Sequence, residues 1–369
     1  MQIHRALLAG GLFILSAAES YDTYKDHATS TADVLIKKYY DDSDGQFAHL
    51  WWNSAITFSA LVDLSALVDS KNVANHDIYS LLENVYAKHT PPDSVSNENF
   101  INPYYDDEGW WALTWIAAYD LTQEKKYLDI AQSIVEDIYN TGQACGGGVW
   151  WSRSHRVVAT IENVILMGAA AQLSNRMANE DDVTKYKKMA DASWSFLRDS
   201  GSWDPDAYTI SGDIDSNTCK RTSGGDPSTY CQGILIGALL ELASAHKDGG
   251  YVDLAKKVAQ ATMKHPLLTT KDGILQEPLG GFSNDTAQFK GIFMRYLMQL
   301  HRRAPDSSYV DFTTKNADSI WTNSRNQDGT IIVRWEGNPT NADLGDYSLE
   351  VSTSSANQCL IAAAAMAKG

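Results

Sequence analysis

Residues 349–367 read Leu-Glu-Val-Ser-Thr-Ser-Ser-Ala-Asn-Gln-Cys-Leu-Ile-Ala-Ala-Ala-Ala-Met-Ala, with Glu350 the only charge. A helix this poor in charge is buried on most of its sides. It also lies near the end of the chain, where an open array of helical repeats needs a polar capping unit. The stretch is as apolar as the helices in the middle of the chain, so the array is expected to close on itself.

Working back from it, the chain alternates between two kinds of helical segment. Tyr24–Tyr40, Ile78–His89, Lys126–Tyr139, Thr184–Arg198, Tyr251–Lys264 and Tyr309–Asn323 carry charge on one face and apolar residues on the other, as solvated outer helices do. Between them, Trp51–Val68, Glu108–Leu121, Val157–Leu173, Cys231–Ala245 and Phe289–His301 share the low charge of Leu349–Ala367. Small residues such as Ala169 to Ala171 and Ala362 to Ala365 let such helices approach closely. Six pairs of about 50–70 residues each, at the long end of helical-repeat periods, predict an all-α (α/α)6 barrel. A few short β segments are expected near Gly148–Trp151 and Thr330–Trp335, where Val, Ile and Trp cluster. No Pro-, Gly- or Ser-rich linker divides the chain, which predicts one domain over residues 19–369.

In such a barrel the loops leading into the inner helices share one pole, and these loops carry the unusual residues. Three Trp-Trp pairs fall there, at Trp51-Trp52, Trp110-Trp111 and Trp150-Trp151. Filling the core is the plainer use of each pair; together they suggest a groove for sugar rings, whose C–H faces stack on aromatics. Tyr104-Tyr105-Asp106-Asp107-Glu108-Gly109-Trp110-Trp111 stands at a helix start with two carboxylates among four aromatics. Acidic residues there can simply complement the helix dipole, but a cap has no need of the surrounding rings. Paired carboxylates are the machinery of glycoside cleavage. Adjacent Cα atoms lie about 3.8 Å apart, which favours the roughly 5–5.5 Å carboxyl separation of retaining enzymes over the wider inverting gap. The charge of one carboxylate also delays ionisation of the other.

The net charge of −16 over 369 residues and a pI near 4.9 argue against nucleic acid and anionic membranes as partners. His4 and Arg5 precede the apolar run Ala6 to Leu15, and Ser16-Ala17-Ala18 offers a cut. Residues 1–18 are therefore expected to be a secretory signal peptide, too short to anchor the chain across a bilayer, and the protein is expected to be extracellular. No lipid anchor is expected, because Ala363-Ala364-Ala365-Met366-Ala367-Lys368-Gly369 continues the last inner helix in place of a polar spacer and hydrophobic tail. Four cysteines suit an oxidising compartment. Cys219 and Cys231 bracket a Gly-Asp-Pro turn and are expected to pair, leaving Cys145 with Cys359 across a long loop. Asn284-Asp285-Thr286 is a glycosylation sequon. Asp213-x-Asp215-x-Asn217 begins like a calcium loop, but Thr218 and Gly224 stand where Gly and Glu belong; no metal or cofactor is expected.

With Asp-Asp before Trp-Trp, Cys145-Gly-Gly-Gly-Val-Trp-Trp and Gln288-Phe289-Lys290-Gly291-Ile292-Phe293 in view, the mature chain resembles glycoside hydrolase family 76 in a fungal secreted form. The resemblance implies an (α/α)6 barrel that cleaves α-1,6-linked mannan internally with retention, Asp106 being the nucleophile and Asp107 the acid/base. It places the sugar groove on Trp52, Asn53, Trp151, Glu162-Asn163, Tyr230, Gln232 and Lys290, to which the aromatic pairs add Trp111. A sugar-contacting aspartate of the family falls on Asp213 or Asp215. Trp111, being helical, is expected to serve the fold as well. Two other readings are a wall transglycosidase that moves glycolipid-anchored glycoproteins onto glucan, and a non-catalytic mannan-binding protein. A monomer is expected.

Overall fold

The computed structural model describes residues 20–92, 94–222, 224–278, 281–337 and 346–368. The expected signal peptide lies outside them. Among the described residues the chain forms twelve α-helices in alternating outer and inner positions. The outer ones are α1 (Tyr21–Tyr39), α3 (Ile78–His89), α5 (Lys125–Thr141), α7 (Glu180–Ser200), α9 (Gly250–Lys264) and α11 (Ser307–Ser319). The inner ones are α2 (Trp51–Val68), α4 (Tyr105–Thr122), α6 (Thr160–Ser174), α8 (Thr229–His246), α10 (Asn284–Arg303) and α12 (Leu349–Lys368). Along the ring α2 packs on α4, α4 on α6, α6 on α8, α8 on α10 and α10 on α12; α12 then returns to α2, closing an (α/α)6 barrel.

Local chemistry sets the two characters. Four of the outer helices start on side-chain caps that satisfy otherwise unpaired N–H groups: Ser20 accepts from Thr23 N, Asp77 from Tyr79 and Ser80 N, Asn179 from Asp182 N and Asp306 from Ser308 N. Each then buries one stripe, as α1 does with Tyr24, Ala28, Ala32, Leu35 and Ile36. Inner helices are buried nearly all round, so their spacing depends on small residues. A Cβ at Gly233 of α8 would stand 2.7 Å from the Phe293 Cα of α10, and one at Gly291 would meet Ser355 of α12 at the same distance. Either substitution would push the ring apart.

Short antiparallel hairpins occupy the loops leading from outer to inner helices. Tyr40–Asp41 pairs with Gln46–Phe47, Gln143–Ala144 with Gly148–Val149, and Trp203–Asp204 with Thr209–Ile210. A three-stranded patch sets Asp213–Asp215 between Val158–Ala159 and Lys220–Arg221. The strand expected near Gly148 is present as Gly148–Val149, whereas Thr330–Trp335 contributes only the bridge of Ile331 to Arg325.

The cysteine pairing differs from the expectation. Cys145 joins Cys219, with Cα atoms 5.4 Å apart, while Cys231 and Cys359 are free and buried. Cys145 and Cys219 sit at the tips of two neighbouring hairpins, both at positive φ. Cys231 instead enters the ring in the first turn of α8, and Cys359 lies in the middle of α12. Nearness in sequence misled because the strands around Cys219 carry it away from α8.

Three carboxyls are buried with no ion pair among the described residues: Glu162, Glu277 and Glu350. Burial raises each above its ordinary value, Glu277 and Glu350 up to about 8. Raised carboxyls keep protons in the folded state that the unfolded chain releases, so their contribution to stability is lost as pH rises through the folded values. Burial lowers His27, His89 and His265, which gives the opposite slope, but only below about pH 6.5. Between about pH 6.5 and 8 the carboxyls decide the sign, each by up to about 1.4 kcal/mol per pH unit. Thermal melts should therefore show Tm falling by several degrees over that interval; a flat or rising Tm would contradict the buried protons.

Candidate active site

At the pole where the hairpins gather, a cavity of about 690 Å³ opens over the first turns of α2, α4, α8 and α10. Asp106 and Asp107 lie in its wall, in the first turn of α4, where Tyr104 occupies the cap position without a side-chain cap bond. The two carboxylates are thus not spent on capping. Four aromatics surround the cavity base: Trp52 stacks on Trp110 at 5.9 Å, Tyr230 on Phe289 at 3.7 Å, and Trp110 meets Tyr230 at 6.5 Å. Above them Tyr104 and Trp151 form a second face, with ring centres 4.8 Å apart. Tyr104, Trp151 and Val157 line this cavity, although each is more than a third exposed, and apolar surface left in water at one place marks a binding surface.

The two aspartates are held differently. Trp151 Nε1 donates to Asp106 Oδ2 at 3.0 Å, while Asp106 Oδ1 is buried with no hydrogen-bond partner among the described residues. Burial raises its pKa, and the Trp151 hydrogen bond opposes the rise. Asp107 is raised further, first by burial and then by the charge of Asp106. Asn102 orients Asp107. Tyr104 N–H donates to Asn102 Oδ1 at 2.5 Å, which leaves the Asn102 amide nitrogen to donate to Asp107 Oδ2 at 3.1 Å. A proton on Asp107 therefore sits on Oδ1. Asn102 is held in turn, its N–H donating to Glu108 and its carbonyl accepting from Arg153 Nε. Glu108 is fully buried; burial raises its pKa and Arg153 opposes the rise. With the guanidinium on both its oxygens, the geometry fits the carboxylate.

Of the other residues expected at a sugar groove, Trp52, Trp151, Asp213 and Tyr230 line the cavity. Asp215 does not; its carboxylate closes the turn onto Asn217 and Thr218 N–H, the use that also occupies the calcium-like stretch. Trp111 points away and is fully buried among Trp51, Phe58, Phe100 and Trp115. Trp110 takes the cavity position instead. Helical phase explains this, because Trp110 is three and four residues from the aspartates and shares a face with both.

Four polar residues expected to touch sugar are buried off the cavity and bind the protein's own chain. Asn163 clamps Val149, accepting from its N–H at 2.8 Å and donating to its carbonyl. Gln232 clamps Ile210 in the same two-bond manner, at 2.9 and 2.7 Å. Asn53 donates to Gln288 and to the Asn284 carbonyl, and Lys290 donates to the Val333 carbonyl at 2.5 Å. Amides in inner helices thus fix the hairpins that lead into them. Asn284 begins α10 and accepts from Ser348 N–H at 2.7 Å. Its neighbour Asp285, which the sequence offered only as the middle of a glycosylation sequon, lines the cavity and accepts from Trp52 Nε1 at 2.9 Å. Its place in a helix's first turn, as with Asp106, was the available signal.

Among the described residues no helix is long and apolar enough to cross a membrane, and no group of three His, Cys, Asp or Glu residues could hold a metal ion.

A model of glycosyl hydrolase family 76 matches residues 23–368. Among solved structures, the GH76A α-1,6-mannanase from Salegentibacter sp. HEL1_6 is similar at a TM-score of 0.78 and 23% identity, over 93% of this chain and 99% of that one. An inactive variant of that protein, with two consecutive aspartates replaced by alanine and in complex with α-1,6-mannotetrose, gives 0.77 and 22%, with 93% and 99% covered. Dfg5 from Chaetomium thermophilum, in complex with glucosamine, gives 0.76 and 15%, with 95% and 92% covered. A search of curated proteins gives no match.

Proposed function

The chain belongs to glycosyl hydrolase family 76, and from that premise we propose that it is a secreted, retaining endo-α-1,6-mannanase acting as a monomer through one catalytic domain of residues 19–369. The observation that carries the reading is the pair Asp106 and Asp107 in an aromatic-lined cavity, the second carboxyl holding its proton more strongly than the first.

A mannose ring enters between the Tyr104–Trp151 face and the Trp52, Trp110, Tyr230 and Phe289 base, stacking its C–H surface on the rings. Asp107, protonated on Oδ1, gives that proton to the departing glycosidic oxygen. Asp106 attacks the anomeric carbon from the opposite side and forms a glycosyl-enzyme. Asp107, now ionised, takes a proton from water, which releases the sugar with its original configuration. Trp151 keeps Asp106 aimed; Asn102 keeps the proton of Asp107 on the oxygen that needs it. The solved complex of a similar mannanase variant, in which two consecutive aspartates were replaced, supports the substrate and the pair.

Transfer to a wall acceptor is a second reading, favoured by the likeness to Dfg5 and by the cavity's own charge. Among the described residues Asp106, Asp107, Asp213 and Asp285 line it and no Lys or Arg does, a setting that suits a cationic amino sugar. Incubation with linear and branched α-1,6-mannans, with and without a glucan acceptor, separates the readings. Shorter α-1,6-mannooligosaccharides without any acceptor adduct are expected; adducts as the main product would favour transfer, and binding without cleavage would leave only a mannan-binding protein.

A further inference from the structure

One buried carboxyl beside the catalytic pair takes no part in the mechanism above. Glu162 lies in the first turn of α6 and is fully buried. Its Oε1 accepts from Ala159 N–H at 2.6 Å and from the Asn163 amide at 3.2 Å. Its Oε2 is buried and meets no partner, as is Asp106 Oδ1 on the neighbouring helix α4. Ala159 and Ile161, just before Glu162 in the chain, share the cavity wall with Asp106. Two orphaned carboxyl oxygens thus stand on adjoining helices behind one wall, and both groups cannot be ionised there without severe repulsion.

The surroundings decide which keeps the proton. Asp106 faces the cavity and receives the Trp151 N–H on Oδ2. Among the described residues Glu162 accepts from neutral amides on Oε1, which leaves the unpartnered Oε2 as the place for a hydrogen. The charges that act on it are Asp106 from α4 and Asp213 from the mouth strand, both negative, and the Cys231 thiol of α8 is its other titratable neighbour. Burial, and after it the Asp106 charge, raise its pKa well above the carboxylate range.

We propose that Glu162 is a positioning residue kept as a neutral acid, its proton on Oε2 directed at Asp106 Oδ1, so that its O–H dipole holds the nucleophile ionised. The proposal rests on the reading of Asp106 as nucleophile, but the state of Glu162 can be measured apart from it. In infrared difference spectra of wild type minus Glu162→Gln near pH 7, the carbonyl band of a protonated carboxylic acid is expected. A difference showing only carboxylate bands would overturn the proposal, whatever the substrate proves to be. In kinetics, Glu162→Gln keeps a neutral donor and should retain kcat/KM within about threefold, with its acid limb unmoved. Glu162→Leu removes the dipole, and the acid limb should move up by about one pH unit. A Glu162→Leu variant with lowered Tm but an unmoved limb would reduce Glu162 to a helix cap and overturn the proposal. So would a Glu162→Gln loss as deep as that of Asp106→Asn. Should Glu162→Leu not fold, the infrared and Glu162→Gln results decide.

Discussion

Asp106→Asn is expected to lose cleavage of α-1,6-mannan by about 10⁴-fold or more, the scale on which removal of a covalent nucleophile acts. With a mannosyl fluoride, whose leaving group needs no acid, it should form no glycosyl-enzyme; added azide could give only the inverted azide. Asp107→Asn should behave differently. It lacks the proton for a sugar leaving group, yet should still form the intermediate from the fluoride, and azide should speed its breakdown to a product of retained configuration. The structure adds a direct physical signature. The Asp106 charge helps to raise Asp107, so neutralising Asp106 should let Asp107 titrate at lower pH, as carboxyl carbon NMR would read. Wild-type enzyme releasing the β-anomer first, or an Asp107 that titrates unchanged in Asp106→Asn, would remove the basis of the assignment.

The second large effect separates two tryptophans. Trp111→Ala should destabilise the fold by about 3–5 kcal/mol, a fall in Tm of roughly 5–15 °C. Trp111 is fully enclosed, and its ring lies within 5.0–6.1 Å of four other aromatics. Trp151→Ala should leave Tm within a degree or two, since its ring is 38% exposed. Its loss should appear in KM, as one sugar-stacking face disappears, and in kcat, as Asp106 loses its N–H donor. Equal destabilisation of the two variants would place Trp151 in the core rather than in the groove.

What the sequence revealed and what it hid divide along physical lines. The ring was legible because burial pattern is a local property of each helix: α2 and α3 begin and end where charge and apolar periodicity place them. Asp106 and Asp107 were legible because a dyad among aromatics has few other uses. The fate of Asn163 and Gln232 was hidden, because an amide near sugar-binding rings reads the same whether it holds a hydroxyl or a backbone strand. Asn102 and Glu162 were hidden for a related reason. Their parts depend on which atom of Asp107 or Asp106 they face, and that is settled by how the turn before α4 folds back onto it and by how α4 packs on α6. The disulfide failed for want of the same information: the direction in which a hairpin tip points is set by its strand partners.

The amide clamps give the mouth of the barrel a property that its chemistry alone does not show. Val149 and Ile210 are each fastened to the inner helix that follows them, so these two rim strands are anchored within their own repeats. A rim built this way behaves as a set of cassettes: one can be lengthened, shortened or exchanged while the toroid beneath keeps its register, provided the clamping amide and its strand are kept. Ties between repeats limit this freedom: the Cys145–Cys219 bond and the pairing of Val158–Ala159 with Asp213–Ile214 join the rim segment before α6 to the one before α8, and Trp151 and Arg153 bond the segment before α4, so these segments would have to be exchanged together. Chimeras exchanging only the 142–159 segment should then fold poorly under oxidising conditions, while exchange of the loop before α2 is tolerated, as melting curves would show.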